Sequence, residues 1–147
     1  MRRLFLKAAS GALVMLVLGI GSTRPVAATE PVKVVYHLTD GIDQSARALG
    51  NIRNHLRAEP DTRIVVVTNG DGIKFLLNGA QDRTGKPFAP AVSALAAQGV
   101  EFRVCSNTLT THDISPAQVV PEAKIVPSGV VEAARLQARE GFVYLRP

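Results

Sequence analysis

The chain's one cysteine, Cys105, closes the run Val100-Glu101-Phe102-Arg103-Val104-Cys105, and Ser106-Asn107-Thr108 follow it directly. A thiol at the end of a β-branched run, with helix-starting residue types after it, suits thiolate chemistry. Free N–H groups in the first turn of a helix stabilise the anion and lower its pKa. The plain alternative is a buried strand cysteine that serves as a small hydrophobe. Spacing alone leaves both open. Three histidines offer support. His37 lies near the end of an earlier β-branched run and reaches Cys105 if the two strands are neighbours; otherwise it is a core histidine. His112, seven residues after the cysteine, either assists the thiol or faces solvent from its loop. His55 sits amid Arg53, Asn54 and Arg57 and reads as a surface residue. One cysteine and scattered histidines show no short ligand spacing, so neither a resident metal nor another cofactor is expected.

The elements that must position these groups alternate. Val32–Leu38 reads as a strand, and Ile42–Ala58 as a helix with Ile42, Ala46, Leu49, Ile52 and Leu56 on one stripe and Asp40 as its N-cap. Arg63–Thr68 is apolar on both faces, the pattern of a parallel strand covered by helices on both sides. A short helix over Ile73–Asn78, a polar loop and a helix over Phe88–Gln98 follow, the last with Phe88, Val92 and Leu95 inward. Val100–Cys105 is the third strand. Residues 106–111 turn into a short helix capped by Ser106 or Asn107, and Ala123–Val126 is the fourth strand. A helix over Val130–Arg139 with Ser128 as N-cap and an edge-like strand over Phe142–Leu145 complete the chain. Such alternation predicts an α/β fold, a mainly parallel sheet with helices on both faces.

Ligands of open parallel sheets bind beyond the carboxyl ends of the strands. That rule singles out Asn69 and Gly70, Cys105 with Asn107 and Thr108, and Ser128 as the edge where chemistry belongs. Rival motifs are missing. Asn69-Gly70-Asp71-Gly72-Ile73-Lys74 lacks Walker spacing, no G-x-G-x-x-G follows the first strand, and no G-x-S-x-G elbow occurs. Asp40 and Asp43 in the first loop would repel a phosphate.

The N-terminus reads as an export signal. Arg2-Arg3-Leu4-Phe5-Leu6-Lys7 precedes an apolar run from Ala8 to Ile20, and Val26-Ala27-Ala28 offers a cleavage point. The paired arginines resemble the twin-arginine motif. The expectation is a signal over residues 1–28, one domain over 29–147 and a periplasmic or otherwise exported location, with no membrane attachment after cleavage. Residues 1–28 carry four of the 17 basic residues and none of the 12 acidic ones, leaving 13 against 12 in the remainder. A net charge of +1 gives no basic face for nucleic acid. In an oxidising compartment a lone thiol is inert, paired between chains, or kept for chemistry.

Gly99-Val100-Glu101-Phe102-Arg103-Val104-Cys105-Ser106-Asn107-Thr108-Leu109 resembles the cysteine segment of the DsrE/DsrF-like family, which is related to the sulfur-relay proteins DsrE and TusD. Lys33–His37, Asn51–Leu56, Ile125–Val130 and Arg135–Pro147 are similar to the same family in the same order, so the likeness spans nearly all of 31–147. The resemblance implies a three-layer α/β/α fold with a five-stranded, mainly parallel sheet, assembled as a homotrimer or hexamer. It also implies a sulfur carrier rather than a turnover enzyme, with the cysteine matching Cys105 holding a persulfide between a donor and an acceptor protein. The alternative is a non-enzymatic oligomeric binding module for a small ligand or a soft metal such as Cu(I), which thiolate ligands favour.

Overall fold

A computed structural model describes residues 30–147; the expected signal lies outside them. The strands are β1 (Lys33–Leu38), β2 (Arg63–Thr68), β3 (Glu101–Cys105), β4 (Ala123–Val126) and β5 (Val143–Leu145). The helices are α1 (Ile42–Ala58), α2 (Ala89–Ala96), α3 (Ser106–Thr111) and α4 (Gly129–Glu140), with 3-10 turns over Gly70–Leu76 and Pro116–Gln118. The sheet runs β4-β3-β2-β1-β5, and every pairing is parallel, so the sheet is wholly rather than mainly parallel.

That order dictates the layers. Parallel crossovers are right-handed. The steps β1 to β2 to β3 to β4 all move one way across the sheet, so α1, α2 and α3 cover one face. The last connection returns from β4 to the far edge beside β1, so α4 covers the other face. The first face packs Val34, Tyr36, Leu38, Ile64, Val66, Phe102 and Val104 under Ile52, Val92, Leu95 and Leu109. The second has a smaller apolar cluster: Val35, Val65 and Val67 against Ala133, Leu136 and Phe142. Since β3 feeds a helix on one face and its neighbour β4 a helix on the other, a crevice opens between their carboxyl ends. This is the topological switch point at which open parallel sheets bind ligands.

Several local expectations differ. The buried stripe of α1 is Gln44, Ser45, Ala48, Leu49, Ile52 and Leu56, and Ala46 faces solvent. Gln44 is drawn inward because its side-chain oxygen accepts the Thr39 and Asp40 N–H groups while its amide donates to the Pro147 carbonyl. The cap position of α1 is Gly41, not Asp40. The Asp40 carboxylate instead binds the Thr39 hydroxyl and Arg146. The turn after β2 is 3-10 and begins at Gly70 rather than at Ile73. It packs so closely on β1 that a Cβ on Gly72 would lie 2.1 Å from the Leu38 carbonyl oxygen, so only glycine fits there. No helix among the described residues is long and apolar enough to cross a membrane.

Candidate functional site

Cys105 is both the last residue of β3 and the N-cap residue of α3, so neither Ser106 nor Asn107 caps that helix. Its extended backbone (φ −70°, ψ 117°) turns the chain directly into the helix. The sulfur thereby faces the N–H groups of the first helical turn, those of Asn107 and Thr108, the former of which also donates to the Pro127 carbonyl at 3.4 Å. A further donor comes from across the crevice: the N–H of Gly129, the first residue of α4. The Thr108 hydroxyl is the fourth. It accepts the Gly70 N–H at 3.0 Å, which leaves its proton free for the sulfur.

These donors decide the state of the thiol. Burial pushes its pKa up, but the Thr108 hydroxyl and the Gly129, Thr108 and Asn107 N–H groups outweigh that, and the net direction is down. Cys105 is 4% exposed and forms part of the wall of an open cleft of about 350 Å³. Asn69, Gly70 and Ser128 line the cleft from the ends of β2 and β4, and Asn107, Thr108, Thr111, His112 and Val130 line it from the two helices. No carboxylate is among the lining residues, so nothing in the wall opposes an anion. A larger hollow of about 560 Å³, at Glu30, Pro31, Ala58, Glu59, Pro60 and Asp61, contains no nucleophile.

Of the residues singled out from sequence, Cys105, Asn107, Thr108, His112, Asn69, Gly70 and Ser128 therefore meet in one cleft. His112 is exposed at its rim. Ser128 stands at the N-cap position of α4, but its side chain makes no capping bond. His37 does not reach Cys105, because β2 lies between their strands. Its Nε2 sits 2.6 Å from Asn69 Oδ1 and its Nδ1 2.9 Å from the Tyr144 hydroxyl oxygen. His55 is half-buried rather than a free surface residue, with its Nδ1 3.1 Å from the Tyr36 hydroxyl.

Gly129 is the residue that sequence reasoning missed. A Cβ there would lie 3.1 Å from the Thr68 carbonyl oxygen, 3.2 Å from Asn69 Cβ and 3.3 Å from Cys105 Cβ, so a side chain would force the α4 N-terminus away from the sulfur. The available signal was its place: a glycine three residues past a strand end, at the start of a helix, beside the strand that bears the thiol. Tyr144 was also missed, since its partner His37 lies 107 positions earlier.

The sequence pattern of the DsrE/DsrF-like family matches residues 33–146. The chain belongs to the DsrE/DsrF-like family. Among solved structures it is similar to MTH1491, a protein of unknown function from Methanobacterium thermoautotrophicum. The two are 31% identical, with a TM-score of 0.70, over 79% of this chain and 99% of that one. It also shares its fold with the ychN protein of E. coli, at 17% identity and a TM-score of 0.64, over 80% of this chain and 99% of that one. No curated protein matches it significantly. The three-layer α/β/α architecture expected of a DsrE-like chain is the one observed.

Proposed function

We propose that this DsrE-like protein is a sulfur carrier and that Cys105 is its persulfide site. The observation that carries the reading is a buried thiol in the wall of an acid-free cleft, its pKa lowered by the Thr108 hydroxyl and the N–H groups at two helix starts. The Cys105 thiolate attacks the outer sulfur of a persulfide donor R–S–SH, forming Cys105–S–SH and releasing R–S⁻. An acceptor thiolate R′–S⁻ then attacks that outer sulfur, leaving as R′–S–SH and restoring the Cys105 thiolate. No net oxidation occurs, and no cofactor is needed. The same donors that hold the thiolate suit the terminal anion of a persulfide, because both are soft anions seeking N–H and O–H groups.

Two further parts of the reading concern its setting. Residues 1–28 would export the chain, so that donor and acceptor are met outside the cytoplasm. Homo-oligomerisation to a trimer or hexamer would cover apolar side chains that one protomer leaves exposed, among them Val130 and Val131 on α4, Ile125 on β4 and Val143 on β5. No group of three or more His, Cys, Asp or Glu side chains that could hold a metal assembles among the described residues.

The test is direct. Purified protein is incubated with polysulfide, freed of excess reagent and weighed intact. The expected result is one added sulfur per chain, absent in Cys105→Ser and removed by a small acceptor thiol. A chain whose mass does not change, with its thiol still titratable, would sink the persulfide reading.

A further inference from the structure

We propose that His37, held by Tyr144, is a positioning residue: it fixes the Asn69 side-chain amide with its NH₂ group toward the cleft, where it donates to an anion that enters beside Cys105. The role rests on the thiolate reading above but is tested without sulfur transfer.

His37 is 8% exposed and sits on the α4 side of the sheet, two strands from the thiol. Both its ring nitrogens are engaged. Nδ1 faces the Tyr144 hydroxyl at 2.9 Å, with the two rings edge to face at 5.6 Å, and Nε2 faces Asn69 Oδ1 at 2.6 Å. A neutral imidazole has one donor and one acceptor. An amide oxygen only accepts, so Nε2 carries the proton. Nδ1 is then the acceptor, and the tyrosine, which can donate, supplies the O–H. Each group along Tyr144–His37–Asn69 is used in the one role that satisfies its neighbours.

The consequence falls on the cleft. With Oδ1 turned to His37, Asn69 Nδ2 is the free end, and it has no hydrogen-bond partner among the described residues. Asn69 lines the same cleft as Cys105. The Cβ atoms of both lie within 3.3 Å of the point a Gly129 Cβ would occupy, which makes the two side chains neighbours. The reversed amide would aim lone pairs at a thiolate. His37 and the thiolate thus favour the same orientation from opposite ends. Without His37 the amide is free to reverse, and the cleft loses a fixed donor.

The test compares alkylation of Cys105 by iodoacetate and by iodoacetamide. A fixed NH₂ group favours the anionic reagent, while a general loosening speeds or slows both alike. The ratio of the two rates is expected to fall about tenfold in His37→Leu, the effect of losing one hydrogen bond to a charged group. It should recover in His37→Gln, whose amide N–H replaces Nε2–H. Asn69→Leu should lower the ratio equally, and adding His37→Leu to it should change nothing more. Nitrogen NMR of the wild-type His37 ring, which needs no variant to fold, should show the Nε2–H form. An Nδ1–H ring, or an unchanged ratio in folded His37→Leu, overturns the role. Failure of the wild type to take up sulfur would remove the persulfide reading and leave both of these readouts standing.

Discussion

Three helices and a 3-10 turn lie against one face of the sheet, and the strand side chains beneath them, from Val34 to Val104, are almost all apolar. The other face has α4 alone. There the apolar cluster is small, and polar groups flank it: Arg103 bound to Glu101 and Glu132 on one side, and His37 with Tyr144 and Asn69 on the other. Cys105 sits at the end of this second face, where α4 begins. The difference follows from topology. Three crossovers in one direction stack three helices on one side, and the single return leaves one helix for the other. The first face can spend its whole area on stability. The second, thinly covered, must hold α4 in register with polar contacts, and that register is what brings the Gly129 N–H to the sulfur.

If the first face is the stabilising one, truncation there should be felt most. Phe102, 1% exposed and packed edge to face on Phe75, is the sharpest case. Phe102→Ala is expected to lower unfolding free energy by about 3–5 kcal/mol in urea titrations. The thiol pKa of the protein that remains folded should stay nearly unchanged. A marked pKa shift would mean that the faces are not separable.

On the second face, Arg103 tests whether α4 is held by charge. Its guanidinium lies between Glu101 and Glu132 with little solvent around it. Arg103→Ala removes the partner those carboxylates share and should cost roughly 2 kcal/mol, below the fully buried value because Glu101 keeps some solvent and Arg63, and Glu132 keeps Arg135. Replacing both ends, Arg103→Met with Glu132→Leu, should recover most of that loss in the same titration. No recovery would show that the network carries something beyond charge balance.

Smaller effects are expected at the thiol. Thr108→Val removes the hydroxyl but keeps the shape, and should cost about 1 kcal/mol while raising the Cys105 pKa. The sign of the pH dependence follows from the lowered pKa in the folded state. Between that value and the ordinary one, the unfolded chain binds the extra proton, so stability rises with pH through the window. The contribution is complete above the ordinary thiol value and lost as pH falls through the folded one. Denaturation of wild type against Cys105→Ser across alkaline pH should show their difference growing with pH, and growing less in Thr108→Val.

Much of this layout was legible in the sequence. Arg63–Thr68 is apolar on both faces because helices cover both, and the run showed it. The ends of β2, β3 and β4 were readable as the binding edge, since punctuation residues stand there, and those residues do line one cleft. What was hidden depends on distance in the chain. Gln44 and Ser45 turn inward for partners at Thr39, Gly41 and Pro147, which no hydrophobic period reports. His37 looked like a partner for Cys105 only while the strand order was unknown. The donor role of Gly129 is a backbone property, and a glycine in sequence names a freedom without saying what approaches it.

Two helix starts and one hydroxyl lower the pKa of Cys105. The rate of Cys105 alkylation with a neutral reagent as a function of pH, in wild type and in Thr108→Val, reads that effect at the sulfur itself. The wild type should show an inflection below the free-cysteine value of about 8.5, moving upward in the variant. An inflection at or above that value in the wild type, unmoved by the substitution, would contradict it.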